Sequence, residues 1–320
     1  MKKSLALVLC ALLFAPVTAA AQAWPTKTVR IIVPFGPGST PDMVGRLIGD
    51  QMQQKLGQPF VIENRPGASA NTGTDIVAKA DPDGYTVGVS LGGPLAINTL
   101  LFAKMPYDPA KDIALITMLT TQPSVLVVQT SLKVESVAEL LELLRKNPGK
   151  YNYGSIGNGS LSHLAMEALA LKSGTTMVHV PYAGSPQAMT ALLRNDVQMA
   201  CLPAISAVPH VASGQIRILA VSLGRRSALL PDVPTLKKAG LDVEADAWNG
   251  LIAPANTPQP IIAKIHDAAV DALREPLIRE KLAAQFMEPI PTTPAQFHAK
   301  IAADLARWSP VIKALDLKIN

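Results

Sequence analysis

Short β-branched and apolar runs alternate with amphipathic helical patterns along almost the whole chain. That alternation points to a layered α/β architecture with mostly parallel strands. The first pair is a strand over Val29 to Pro34 and a helix over Pro41 to Leu56, in which Val44, Ile48, Met52 and Leu56 recur at helical spacing. Strand Phe60 to Glu63, helix Thr72 to Lys79 and strand Tyr85 to Ser90 follow, then an extended apolar run, Val125 to Gln129. Ser136 and Glu139 read as the capping box of a helix from Val137 to Arg145. Further on, strands Tyr151 to Gly154, Met177 to Val180, Val197 to Leu202 and Ile216 to Val221 interleave with helices Leu161 to Lys172 and Pro186 to Leu193. Strand Asn249 to Ala253 leads into three closing helices. The run from Val125 and the strand from Asn249 read as two crossings between domains. The expected division is a discontinuous first domain, residues 24–124 plus 248–320, and a second domain, residues 125–247.

The start of the chain sets its compartment. Lys2 and Lys3 precede an apolar run from Leu5 to Phe14, Pro16 breaks it, and Ala21-Gln22-Ala23 forms a small-x-small site. This order predicts a secretory signal peptide over residues 1–23, cut before Trp24. The run is too short to cross a hydrocarbon core of roughly 30 Å. Cys10 follows Leu9 rather than the small residue of a lipid-anchor site. Cleavage would leave one cysteine, Cys201, so the exported chain must rely on its core rather than on a disulfide. At 320 residues and 48% hydrophobic it has material for two domains. The net charge of +5 falls to +3 without Lys2 and Lys3, and the basic residues are scattered. Neither nucleic acid nor an anionic membrane is an expected partner, since both select a clustered basic patch. Aromatic residues make up 4% of the chain, few for a stacking platform or a sugar site. A monomer without cofactor is expected.

Three strand-to-helix junctions share one chemistry. The first runs from Phe35 through Gly38, Ser39 and Thr40 to Asp42, with Thr40 placed to cap the helix and Pro41 in its first turn. The second is Ser155-Ile156-Gly157-Asn158-Gly159-Ser160, and the third Tyr182-Ala183-Gly184-Ser185-Pro186. Glycines let backbone bend closely around a guest, and helix starts present unpaired N–H donors with partial positive charge. Such ends hold carboxylates without Arg or Lys. Ligands of open α/β sheets lie beyond the carboxyl ends of strands, where all three loops fall. Ser90 and Gly92 at the end of the third strand, and Pro203 and Ala204 after Val197 to Leu202, complete the candidate contacts. Asp42 admits a second reading, as an acidic complement to its own helix start.

Catalytic signals are sparse. His163, the third residue of the second junction's helix, could orient Ser160 as a base, or could simply pack and hydrogen-bond near the cap. The five histidines show no metal-ligand spacing, and neither a GxGxxG fingerprint, a P-loop Lys nor a Gly-x-Ser-x-Gly elbow is present. Cys201, between Ala200 and Leu202, reads as a buried thiol. Trp248, near the second crossing, reads equally as a cleft wall or as interdomain packing.

At these residues the sequence resembles the Bug-type solute receptors of tripartite tricarboxylate transporters. The resemblance is carried by Trp24 to Phe35, Glu63 to Ala68, Asp83 to Thr86, Tyr107 to Pro109, Gly154 to Leu164, His179 to Gly184, Leu230 to Thr235 and Trp248 to Leu251. It implies a type II periplasmic-binding-protein fold that closes like a Venus flytrap: two α/β domains, each a mostly parallel sheet flanked by helices, joined by two crossover strands. It also implies that the loop Phe35 to Asp42 grips a ligand carboxylate through backbone groups and bridging waters, opposite Ser155 to Ser160 and Tyr182 to Gly184. The chain departs from the family pattern where Ser39 stands for a second glycine, where Pro41 precedes Asp42, and where Gly92-Gly93-Pro94 replaces the usual Asn-Pro. The expected function is capture of a small carboxylate, such as a di- or tricarboxylate, an aromatic acid or an amino acid, for delivery to inner-membrane permease subunits. A ligand sensor for a signalling partner and an exported serine hydrolase using Ser160 and His163 are the alternatives.

Overall fold

The computed structural model describes residues 24–318. The expected signal peptide, residues 1–23, lies outside the described residues. The chain runs β1 (Val29–Val33), α1 (Thr40–Leu56), β2 (Phe60–Asn64), α2 (Asn71–Ala78), β3 (Thr86–Leu91) and α3 (Asn98–Leu101). It continues through β4 (Ile113–Gln129), α4 (Val137–Lys146), β5 (Asn152–Ser155), α5 (Leu161–Ser173), β6 (Val178–Pro181), α6 (Ser185–Leu193), β7 (Met199–Pro203), α7 (Ala204–Val211) and β8 (Ile216–Val221). The last elements are β9 (Asp246–Pro254), α8 (Gln259–Arg274), α9 (Pro276–Ala283), β10 (Glu288–Pro289) and α10 (Pro294–Ala314).

One sheet connects everything, in the order β2-β1-β3-β9-β4-β7-β5-β6, with β8 and β10 also paired to β4. β1 is parallel to β2 and β3, and β5 is parallel to β6 and β7. The two crossover strands are antiparallel to their neighbours and to each other. β4 pairs with β9 from Ile113 to Pro123, then with β7 and β8 from Ser124 to Gln129. This strand is 17 residues long, where periodicity predicts only its last five. Pro123 sits where β4 passes from one partner to the others.

Each half buries its own apolar layer. Val44, Ile48 and Met52 of α1 and Ile265 and Ala269 of α8 pack on Ile31, Val33, Val87 and Leu251 of the sheet. In the second half Leu140, Leu144, Leu164 and Leu169 pack on Leu126, Val128, Tyr153 and Met199. Each fully buried side chain of this kind contributes about 1.5–3 kcal/mol. α10 straddles the two halves. Its Phe297 joins Trp248 and Ile252, whereas its Trp308, Val311 and Ile312 join the cluster around Leu140 and Leu164.

β9 carries one glycine that its packing requires. A Cβ built at Gly250 would lie 2.2 Å from Cζ of Phe297, a side chain with no solvent exposure. Gly250→Ala should therefore destabilise the protein by about 1–3 kcal/mol through overpacking. Urea unfolding of the single variant and of Gly250→Ala combined with Phe297→Leu checks this, because the smaller partner should restore part of the loss. Equal midpoints for wild type and Gly250→Ala would refute the packing account.

Candidate functional site

A cavity of about 400 Å³ opens between the halves, within the usual range for small-molecule sites. Phe35, Ser69, Ala70, Gly92, Pro94 and Asn98 line it from the first half, and Asn158, Gly159, Ser160 and Leu161 from the second. Glu244, Asp246, Trp248, Asp304 and Trp308 form its inner end, where β9 and α10 meet.

The start of α5 supplies backbone donors. Ser160 is its cap: its Oγ accepts from His163 N at 3.2 Å and donates to Gly157 O at 2.6 Å. The two preceding glycines adopt left-handed conformations, Gly157 with φ 121° and Gly159 with φ 70°, which glycine enters without a Cβ penalty. Leu161 and Ser162 fall in the first turn, where N–H groups have no intrahelical partner and carry the positive end of the helix dipole.

A stacked aromatic column supports this loop. The rings of His163 and His179 lie 3.9 Å apart at 9°, and Tyr153 stacks on His179 at 5.0 Å. Gly159 N donates to His163 Nδ1 at 3.1 Å, so the imidazole is neutral there with its proton on Nε2, which faces Glu167 Oε1 at 3.9 Å. Ser155 Oγ and His179 Nε2 are hydrogen-bonded at 2.7 Å, and the Tyr153 hydroxyl donates to Glu167. Burial pushes both imidazoles below their ordinary pKa, and for His179, which also has His163 beside it, down to about 4. His163 thus bonds the loop backbone, and Ser160 Oγ is committed to the cap. The structure contains no Ser160–His163 side-chain pair of the kind a hydrolase would use.

The β1–α1 loop is organised differently from the expectation. The helix cap is Ser39, whose Oγ donates to Gly36 O at 2.7 Å, and Thr40 is the first helical residue. The donor expected to meet a ligand holds the chain's own carboxylate instead: Gly38 N donates to Asp42 Oδ2 at 2.9 Å. Arg46 and Asn64 donate to the same carboxylate at 2.9–3.0 Å. Burial raises the pKa of Asp42, but the bonds from Arg46, Gly38 and Asn64 outweigh it and hold the group below its ordinary value. The same one-residue shift occurs at α6, where Gly184 is the cap and Ser185 the first helical residue.

Of the expected contacts, the structure brings Phe35, Gly92, Asn158, Gly159 and Ser160 to the cavity wall. Ser90 has no exposure and shares a hydrogen bond with Thr74. Asp42, Ser155 and His163 are buried behind the wall. Gly38, Ser39 and Thr40 lie on the loop beside Phe35, outside the cavity. The Tyr182, Ala183 and Gly184 turn sits next to Gly157, with Tyr182 N donating to Ser155 O at 3.0 Å. Pro203 ends β7 and the fully buried Ala204 opens α7, away from the cavity.

Sequence reasoning missed Ser69, Ala70, Asn98 and the acidic inner end. The first two follow β2, so the strand-end rule applied to that junction would have found them. Trp248 fills both roles left open for it. It lines the cavity, its indole meets Phe297 edge-on at 5.4 Å, and its Nε1 donates to Asp304 at 2.7 Å. Lys300 and Arg307 of α10 bind the carboxylates of Glu244, Asp246 and Asp304 over 2.7–3.6 Å. Among the described residues no group of three His, Cys, Asp or Glu could hold a metal ion.

A mixed-sheet α/β body with two crossover strands and a solute-sized cavity between its halves defines a cleft-type binding protein. The chain belongs to the tripartite tricarboxylate transporter receptor family, TctC, whose family model matches residues 44–317. Protein BugT of Bordetella pertussis is 34% identical over 310 residues, 96% of this chain and 94% of the relative. A solved R. palustris protein with adipate is 34% identical, with a TM-score of 0.77 over 92% of this chain and 99% of that one. MatC from Rhodopseudomonas palustris, solved with bound malate, is 31% identical, with a TM-score of 0.72 over 90% and 99%. The type II binding-protein fold expected from the sequence is the fold of this family.

The histidine column gives stability a defined pH dependence. The unfolded chain takes up protons near pH 6.5 at each imidazole, whereas folded His179 resists until about pH 4. Between these values acid favours the unfolded state, so stability falls as pH drops from 6.5 toward 4 and is unaffected by this residue above 6.5. With a discount for its partial exposure, His179 accounts for on the order of 1 kcal/mol of that loss. Urea midpoints of wild type and His179→Gln at pH 7.5 and 4.5 check it. The variant should lose less on acidification, and parallel losses would refute the assignment.

Proposed function

We propose that the protein captures a small carboxylate in the interdomain cleft and delivers it to the permease subunits of a tripartite tricarboxylate transporter. The observation that carries this reading is the start of α5. Unpaired backbone donors beside Asn158 and Ser160 border a cavity of about 400 Å³ and favour an anion by hydrogen bonding and by the helix dipole together. The adipate and malate in two solved relatives agree with it. Residues 1–23 act as a cleaved signal, and the mature chain works in the periplasm as a monomer. Among the described residues, no helix is long and apolar enough to cross a membrane.

Capture works by closure. A ligand held by α5 and by the first half's loops stabilises only the closed arrangement, and it shifts that population by its difference in affinity for the two states. Residues 24–124 plus 248–320 move against residues 125–247, with Phe35, Gly38, Ser39 and Thr40 on one lip and Tyr182, Ala183 and Gly184 on the other. The permease reads the closed surface.

The chain from Trp24 onward, unfolded and refolded to remove carried-over ligand, should show thermal shifts with a subset of carboxylates. A ligand at a thousandfold excess over its Kd stabilises by about 4 kcal/mol, several degrees for a chain this size. Shifts from sugars or purely cationic compounds, with none from any carboxylate, would refute the reading. Uptake of the identified solute should then be lost on deletion of the gene.

A further inference from the structure

We infer that the cleft wall formed by Asn98 and the acidic inner end reads a hydrogen-bond donor on its ligand, that the preferred solute is an amino-carboxylate, and that Asn98 selects it. The inference rests on the carboxylate grip proposed above and concerns the opposite end of the same ligand.

Asn98 is only 4% exposed, yet it lines the cavity. Its amide orientation is fixed. Nδ2 donates to Ser69 O at 3.0 Å and to Asn71 Oδ1 at 2.7 Å, and a backbone carbonyl can only accept, so nitrogen must face Ser69. Asn71 Oδ1 is held in turn by the Tyr107 hydroxyl at 3.2 Å, which also donates to Pro94 O at 2.9 Å. Both Nδ2 hydrogens are therefore used, and among the described residues nothing donates to Asn98 Oδ1. Asn98 Oδ1 is thus a free acceptor on the cavity wall, of fixed orientation, and a donor on the bound ligand can pair with it.

The surrounding wall has the same polarity. Glu244, Asp246 and Asp304 line the cavity, whereas the two cations that bind them, Lys300 and Arg307, do not. Three carboxylates against two cations leave one formal negative charge facing inward. The donors at this end are already committed: Trp248 Nε1 and Arg307 to Asp304, and Lys300 to Asp246. A second ligand carboxylate placed here would meet acceptors and like charge. A protonated amine would meet Asn98 Oδ1 and a negative field.

Isothermal titration at pH 7.5 of the refolded chain from Trp24 tests this. Succinate, glutarate and adipate would be set against 4-aminobutyrate, 5-aminopentanoate and 6-aminohexanoate, with aspartate and glutamate added. Amino-carboxylates should bind at least tenfold more tightly than dicarboxylates of matched length. Asn98→Leu should weaken the amino-carboxylate at least tenfold while changing dicarboxylate affinity less than threefold. Glu244→Gln, which keeps an acceptor and removes a charge, should narrow the preference severalfold, and it carries the test if Asn98→Leu does not fold. Dicarboxylates binding as tightly as their amino counterparts, or variants that leave the preference unchanged, would overturn this inference while leaving carboxylate capture intact. No binding of any of the eight, with a flat wider thermal screen, would overturn both.

Discussion

The antiparallel ladder between β4 and β9 is the constraint from which the rest of the molecule hangs. It runs from Ile113 opposite Pro254 to Pro123 opposite Asp246, with register shifts between Leu115 and Thr117 and between Met118 and Thr120, and every other strand attaches to it directly or through intervening strands. Because β4 continues past Pro123 into the second half, the two halves share continuous hydrogen-bonded backbone rather than a loose linker. β4 changes partners just past Thr120, Thr121 and Gln122. Those residues are polar and buried, and each is bonded: Thr120 accepts from Asn249, Thr121 donates to Asp246, and Gln122 donates to Gln285 O. At the same junction Asn249 Oδ1 is buried without a partner among the described residues.

α10 ties the ladder to the cleft. Lys300 is largely buried, and burial alone would lower its pKa, yet Asp246, Asp304 and Glu244 hold it above its ordinary value. The same burial leaves Asp304 raised despite Lys300 and Trp248. Such a network is costly to desolvate and costlier to break by removing one partner. Its value here is positional. It fixes Glu244, Asp246 and Trp248 at the inner end of the cavity with α10 behind them, while Trp308 of the same helix anchors in the second half's core.

How much of this was legible in the sequence depended on whether a residue's role is local. Helix and strand patterns place nearly every large element to within two or three residues, and the glycine loop before α5 was found from its strand-turn-helix context alone. β4 was truncated because Thr117, Thr120, Thr121 and Gln122 break its apolar pattern, and the partners that let them be buried lie more than a hundred residues away. α7 was missed because Pro209 stands inside it. Asp42 was ambiguous for the same kind of reason. Its carboxylate takes the Gly38 N–H of the loop that a ligand was expected to meet, and the positions of Arg46 and Asn64 fix it there. Asn98 carries no sequence signal as a cavity residue. Its meaning lies in two hydrogen bonds to residues 27 and 29 positions away.

That division between local and long-range information bears on how one fold can serve many solutes. Backbone donors at the start of α5 depend on glycine geometry and a capping serine, so the carboxylate grip proposed for them is independent of the side chains around them. They cannot tell one carboxylate from another. Discrimination must fall to side chains brought in from elsewhere in the chain, whose polarity the α5 start does not dictate. In this protein those side chains are an oriented asparagine and three carboxylates braced from behind by Lys300 and Arg307. On the reading proposed above, specificity is set by these side chains, and a substitution such as Asn98→Leu lies outside both the start of α5 and the β4–β9 ladder.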